Sequence, residues 1–326
     1  MKICIVGTGA IGVWLGARLA ASGRADVCAL ARGAALAALR KHGWRLAHGD
    51  GVLQAPVRAS DDPRELGPQD LVLIAVKAPA LAAVARTVSP LLGRDTTVMP
   101  AMNGVPWWFT RGVPALGDSP LRSIDPDGSI AQALAFERVL ACVVHASVLT
   151  VEPGMARHQM GSGLIIGEPA GGRSERTGRM AGILSSAGFD VTQSDDVRRD
   201  IWYKLWGNMT MNPVCALTGA TADRVLADPL VREFSSGAMR EAARIGALIG
   251  CPVDNDPEDR HRITARLGAF KPSMLQDVEA GRAIELDGLV GVVRELGQRL
   301  SIPTPHIDAL FGLTRLFGSV RGLYRV

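Results

Sequence analysis

Residues 2–12 read Lys2-Ile3-Cys4-Ile5-Val6-Gly7-Thr8-Gly9-Ala10-Ile11-Gly12, a short apolar run passing straight into G-x-G-x-x-G. The run has the composition of a buried strand, and residues 10–22 (AIGVWLGARLAAS) have that of a helix closed by Gly23. In such a strand–turn–helix each glycine has its own task. The first makes the tight turn, the second lets the backbone approach a pyrophosphate, and the third lets helix and strand pack closely. Amides of the first helical turn then face the phosphates. Gly7, Thr8, Gly9, Ala10, Ile11 and Gly12 are therefore expected to hold a dinucleotide.

The next strand, 26–31, chooses the nucleotide. Enzymes that use NAD place Asp or Glu at its end, on the ribose 2′-hydroxyl. Here the strand ends Ala29-Leu30-Ala31-Arg32-Gly33, with no acid. Arg32 stands where a 2′-phosphate would be held by charge-assisted bonds, so the expected cofactor is NADPH. The other reading of Arg32 is a cation solvating a strand end.

A helix over 33–42 and apolar strands at 70–76 (DLVLIAV) and 96–101 (TTVMPA) continue the alternation of a parallel α/β sheet. Residues 139–168 hold three apolar runs separated by Pro-Gly and Gly-Ser-Gly, which predicts an antiparallel extension of that sheet. A last strand is read at 189–193, and almost everything after Asp195 is helical. The expected fold is α/β: an N-terminal Rossmann-type doubly wound sheet, residues 1–195, and a second, all-helical C-terminal domain, residues 196–326.

Composition removes several classes of function. The chain has 326 residues and a net charge of +4, with scattered arginines and no basic run of five, which suits a small anionic ligand rather than nucleic acid. Its five cysteines are odd in number and lack C-x-x-C, as expected of free thiols in a reducing compartment. The six histidines show no metal-ligand spacing, so no metal is expected. Lys2 and the apolar stretch before Ala20-Ala21-Ser22-Gly23 have the outline of a secretory leader, but glycines interrupt it, and no apolar run is long enough to cross a bilayer. A cytoplasmic location without membrane contact is the expectation. The helical C-terminus, with its arginines and leucines, offers a candidate homodimer face, although no motif specifies one.

The stretch Ile201-Trp202-Tyr203-Lys204-Leu205-Trp206-Gly207-Asn208-Met209-Thr210-Met211-Asn212-Pro213 places Lys204, Asn208 and Asn212 at i, i+4 and i+8. They make one polar stripe on a helix that is otherwise apolar and aromatic. The chain uses 31 arginines and five lysines, so a lysine here points to what arginine cannot do, which is to give up its proton. Apolar surroundings favour that, and Lys204 reads as a general acid. The alternative is a lysine snorkelling from a core helix, with the asparagines as packing groups.

With these motifs in place the chain resembles the ketopantoate reductase (2-dehydropantoate 2-reductase) family from Met1 to about Pro303. The resemblance rests on GTGAIG at 7–12, Ala75-Val76-Lys77-Ala78, Asn103-Gly104-Val105, KLWGNMTMNP at 204–213 and PSMLQDVEAGRAIELD at 272–287. It implies a Rossmann domain followed by a helical one, with NADPH and a small anionic 2-oxo acid between them. It also implies reduction of 2-dehydropantoate to pantoate, on the route to pantothenate and coenzyme A. Lys204 then matches the proton donor and Glu285 the glutamate near lysine and nicotinamide. Asn208, Asn212 and Ser273 match substrate-binding residues, and Asn103 the cofactor–substrate junction. Arg32 and Lys77 match the pair near the 2′-phosphate, and Ser147 a backbone contact to cofactor. Plainer readings stand beside these: Ser273 with Gln276 as a helix capping box, Glu285 as a helix-surface acid, Asn103-Gly104 as a turn. Two departures bear on the substrate. Pro106-Trp107-Trp108-Phe109 is a bulky insert expected beside the pocket, and Thr221-Ala222-Asp223 replaces a further asparagine. They leave open a reductase of another branched or aromatic 2-oxo acid. A dinucleotide-sensing regulator would need the glycines and Arg32 but not the lysine, asparagines and glutamate.

Overall fold

The strand β1 (Lys2–Val6) buries its last four residues and delivers the chain into α1 (Ala10–Ala21). The computed structural model describes residues 1–117 and 119–325. Beyond α1 come β2 (Asp26–Leu30), α2 (Gly33–His42), β3 (Trp44–His48), β4 (Gly51–Ala55), β5 (Arg58–Ser60) and α3 (Pro63–Leu66). These are followed by β6 (Gln69–Ile74), α4 (Leu81–Ala85), β7 (Leu92–Pro100) and α5 (Ser129–Ala133). The hairpin β8 (Ala141–Glu152) and β9 (Met155–Gly167), then α6 (Glu175–Ser186) and β10 (Asp190–Gln193), complete this part.

The first sheet has the order β5-β2-β1-β6-β7, and every pairing in it is parallel. Val6 lies opposite both Leu30 and Ile74, and Ile74 opposite Pro100, so the carboxyl ends of β2, β1, β6 and β7 share one edge. The chain builds outward from β1 through β2 to β5, then crosses to β6 and β7. That reversal beside β1 is where open α/β sheets bind ligands. α1 packs closely on β3 at Gly16, where a Cβ would stand 2.5 Å from the Trp44 ring, whose side chain is fully buried.

The 139–168 region is antiparallel as read, but it does not extend the first sheet. β9 pairs with β8, β10 and β3, and β3 with β4, giving a second five-stranded sheet that meets the first at an isolated bridge, Val98 to Val139. Gly161-Ser162-Gly163 is no turn. It lies inside β9, where Gly161 takes φ +74° and the register against β8 shifts.

The second unit is helical: α7 (Val197–Thr218), α8 (Ala222–Ala227), α9 (Pro229–Leu248), α10 (Pro257–Ala265), α11 (Ser273–Glu279), a π-helical turn at Asp287–Gly291, α12 (Val292–Arg299) and α13 (Pro305–Val320). α7 is held in this unit by its apolar side, with Trp202, Leu205, Trp206, Met209 and Cys215 all buried and Trp206 Nε1 donating to the Met239 carbonyl at 2.7 Å. By contact density the chain divides into Met1–Asn103 with Gly128–Asp200, and Gly104–Asp127 with Ile201–Val326. Residues 104–127 thus go with the helical unit, not with 1–195. Glu295 of α12 accepts from the amides of Arg122 and Ser123 at 2.9 and 2.8 Å, and Arg299 donates to the Ser119 carbonyl at 3.0 Å.

All five cysteines are buried. Among the described residues no helix is long and apolar enough to cross a membrane. His261 is buried in the helical unit, with Nε2 3.0 Å from the Ser236 hydroxyl, and burial holds its pKa below the usual value. Unfolded chains take up this proton near pH 6.5, whereas the folded protein resists it until lower pH. In that window the unfolded state binds more protons, so stability falls as pH drops below about 6.5. Urea unfolding across this range should show that loss, and His261→Gln should flatten it.

Candidate functional site

The glycines at the edge of the first sheet divide into two kinds. Gly7 takes φ +91°, and a Cβ on it would lie 2.5 Å from Val76 Cγ1. A Cβ on Gly12 would lie 1.9 Å from the Gly7 carbonyl oxygen. The fold itself requires both. Gly9 is different: it is exposed, has φ −74°, and a Cβ there would meet no atom within 4 Å. No contact inside the protein explains that glycine. It is also the N-cap of α1, without a side-chain cap and with no acid in the first turn, so Ala10, Ile11 and Gly12 present amides to an anion. Thr8 lies half-buried in the same turn. These residues fit the diphosphate of a dinucleotide.

The sheet brings three other sequence candidates to that edge. Gly7 N donates to the Leu30 carbonyl at 3.1 Å, and Arg32 follows two residues later, exposed at the N-cap of α2. The Ala75 amide donates to the Val6 carbonyl at 2.8 Å, and Lys77, half-buried, opens the 3₁₀ turn Ala78–Ala80. The Ala101 amide donates to the Ile74 carbonyl at 2.8 Å, and Asn103 follows, half-buried. Ser147 is not at these strand ends. It lies in β8 of the second sheet, with its hydroxyl 2.9 Å from Gln159 Oε1.

In the helical unit Lys204 and Asn208 are half-buried and Asn212 is buried, so the stripe on α7 is no solvated face. Asn212 Nδ2 donates to Ser273 Oγ at 3.3 Å, joining two candidates sixty-one positions apart. Pro213 follows Asn212 inside the helix and offers no N–H to the Met209 carbonyl one turn back. Ser273 is not a capping residue. Pro272 occupies the N-cap of α11, and Gln276 reaches instead to the Lys271 carbonyl at 2.7 Å.

Glu285 is half-buried in irregular chain just before the π-helical turn, not on a helix surface. The C-terminal tail grips both sides of it. Ile284 N donates to the Leu323 carbonyl at 3.0 Å, and the Tyr324 hydroxyl donates to Asp287 Oδ1 at 2.8 Å. Burial pushes the Asp287 carboxyl above its ordinary pKa, and the Tyr324 bond partly offsets this. Gly104 and Val105 dock on the same turn: Val105 N donates to the Gly288 carbonyl at 3.1 Å, and a Cβ on Gly104 would stand 2.2 Å from that oxygen. Trp107, Trp108 and Phe109 do not offer a bulky face to a ligand. All three are buried, and Phe109 stacks on Trp202 with centroids 6.1 Å apart. Thr221 is the N-cap of α8, and its hydroxyl donates to Asp223.

Comparison with known proteins gives one family. The model of ketopantoate reductase PanE/ApbA matches residues 3–171, and that of its C-terminal domain matches residues 196–317. A 2-dehydropantoate 2-reductase of Mesorhizobium japonicum is 42% identical over 99% of this chain and 100% of its own length. A crystal structure from Ralstonia solanacearum MolK2, assigned provisionally as a ketopantoate reductase, superposes with a TM-score of 0.95 at 52% identity over 99% of each chain. A PanE/ApbA family ketopantoate reductase from Ralstonia eutropha JMP134 gives 0.84 at 28% identity, over 99% of this chain and 100% of that one.

Proposed function

The chain belongs to the ketopantoate reductase family, and from that premise we propose that it reduces 2-dehydropantoate to pantoate with NADPH, using Lys204 as the proton donor. It is an oxidoreductase acting on a CH–OH group with a nicotinamide cofactor. The observation that carries the substrate side is the stripe on α7: a half-buried ammonium and two carboxamides on one ridge, with Asn212 already bonded to Ser273.

The reduced nicotinamide supplies the hydride that C2 of the oxo acid accepts. The rest falls to side chains of this chain. Lys204 gives a proton from Nζ to the ketone oxygen as negative charge grows there. Asn208 and Asn212 donate amide hydrogens to substrate oxygens, and Ser273 donates its hydroxyl. Glu285, held by the tail, orients the lysine or the incipient hydroxyl. Gly7–Gly12 seat the diphosphate, Arg32 and Lys77 face the 2′-phosphate, and Asn103 faces the nicotinamide side. Ser147 would contribute through its backbone.

Steady-state kinetics with 2-dehydropantoate and either nucleotide test this reading, and NADPH should be preferred. Arg32 is exposed, so its phosphate contact is partly screened, and Arg32→Ala should raise KM for NADPH about tenfold with little change for NADH. Equal losses for both nucleotides would remove Arg32 from the 2′-phosphate.

A further inference from the structure

The end of the chain carries no motif, yet it folds back onto the segment that holds Glu285. α13 closes in a reversal built on one glycine. Gly322 takes φ +69° and its amide donates to the Ser319 carbonyl at 3.1 Å, while the Leu323 amide donates to the Gly318 carbonyl at 2.7 Å. That pair of bonds ends a helix and turns the chain back beside its last turn. Gly318 makes room for the return: a Cβ there would stand 2.8 Å from Tyr324 Cβ and 3.0 Å from Ile284 Cδ1.

The returning tail meets residues 284–287 at both ends. Ile284 donates its amide to the Leu323 carbonyl, and the Tyr324 hydroxyl donates to Asp287 Oδ1. Glu285 lies between these anchors, and its neighbours Ile284 and Leu286 are buried. Burial raises the pKa of the Asp287 carboxyl. Burial and that same carboxyl raise the pKa of Tyr324, so the phenol keeps its proton and donates it. Closing α13 needs neither group, because the reversal at Gly322 already engages carbonyls of the last turn. An apolar pair at 287 and 324 would pack without the cost of enclosing polar groups. What the hydroxyl–carboxyl bond adds is a fixed distance and direction for residue 287.

We propose that Tyr324 is a positioning residue for the reduction: through Asp287 it fixes the 284–287 segment and so holds the Glu285 carboxylate in its working direction. This rests on the reductase reading and on the part Glu285 takes in it.

The test is a double-mutant cycle. kcat and KM for 2-dehydropantoate, Kd for NADPH, Tm and hydrogen–deuterium exchange are measured on wild type, Tyr324→Phe, Asp287→Asn, Asp287→Ala, Glu285→Ala and the double variant Tyr324→Phe with Glu285→Ala. Tyr324→Phe loses a single oxygen. It should lower kcat about tenfold, with KM and Kd within a few-fold, because small misplacements of an orienting group cost rate rather than binding. Amide exchange across 284–287 should quicken, while that of the first sheet stays as in the wild type. Asp287→Asn keeps an acceptor for the phenol and should hold kcat within a few-fold, whereas Asp287→Ala should match Tyr324→Phe. In the Glu285→Ala background Tyr324→Phe should cost no further rate, because no carboxylate is left to position. A contact that serves stability alone would lower Tm and leave kcat unchanged in every background. Turnover of Tyr324→Phe equal to that of an active wild type, or the same tenfold loss repeated on top of Glu285→Ala, would overturn the proposal alone. A wild type that reduces no 2-oxo acid would overturn the reductase reading, and the proposal with it.

Discussion

Gly9→Ala and Gly12→Ala are expected to fail in different ways. Gly12→Ala drives a methyl group to within 1.9 Å of the Gly7 carbonyl oxygen. That oxygen cannot retreat easily, because Gly7 N is bound to Leu30 and the Gly7 Cα is hemmed in by Val76. Overpacking of backbone against backbone should cost about 3 kcal/mol or more, with a clear fall in Tm. Gly9→Ala meets nothing within 4 Å and needs no unusual φ, so its Tm should stay near that of the wild type. Its methyl group instead occupies the surface where a diphosphate must approach the backbone. NADPH affinity should drop on the order of a hundredfold, equivalent to about 2.8 kcal/mol. Thermal melts and nucleotide titrations on the two variants check both halves. If Gly9→Ala bound NADPH normally, the diphosphate would have to sit elsewhere.

Lys204→Ala carries the second large effect. General-acid catalysis is worth roughly 10²–10⁴-fold, and kcat should fall by that range. Nucleotide affinity should hold, because Gly7–Gly12, Arg32, Lys77 and Ser147, the residues assigned to the diphosphate, 2′-phosphate and cofactor backbone contact, all belong to the other unit. Lys204→Arg keeps the positive charge yet should not rescue turnover, because a guanidinium does not release its proton at working pH. That variant separates a proton donor from a residue that merely supplies a field.

The glycine turn, β2, β6, β7 and α7 were legible because each is coded locally, by an apolar run with sharp ends or by helical spacing of a polar stripe. β3, β4 and β5 were not. They are short, and β4 exposes Val52 and Leu53, so no alternation marks its face. β3 is fixed by β9, more than a hundred residues away, as Arg45 opposite Met155 records. The allegiance of residues 104–127 was equally hidden, because it depends on Glu295 and Gly288 far along the chain. At the site, Lys204, Asn208 and Asn212 were visible by spacing, and the bond from Asn212 to Ser273 joins two segments that were separately suspected. The grip of Leu323 and Tyr324 around Glu285 has no sequence signal.

The most direct test of the account is turnover of 2-dehydropantoate with saturating NADPH by wild type and Lys204→Ala, with the Kd for NADPH measured on the same preparations. The expected result is a wild type that consumes one NADPH per pantoate formed, and a variant that binds NADPH equally well but turns over at least about a hundredfold more slowly. A variant that matches the wild-type kcat, or a wild type that leaves the oxo acid untouched, would contradict it.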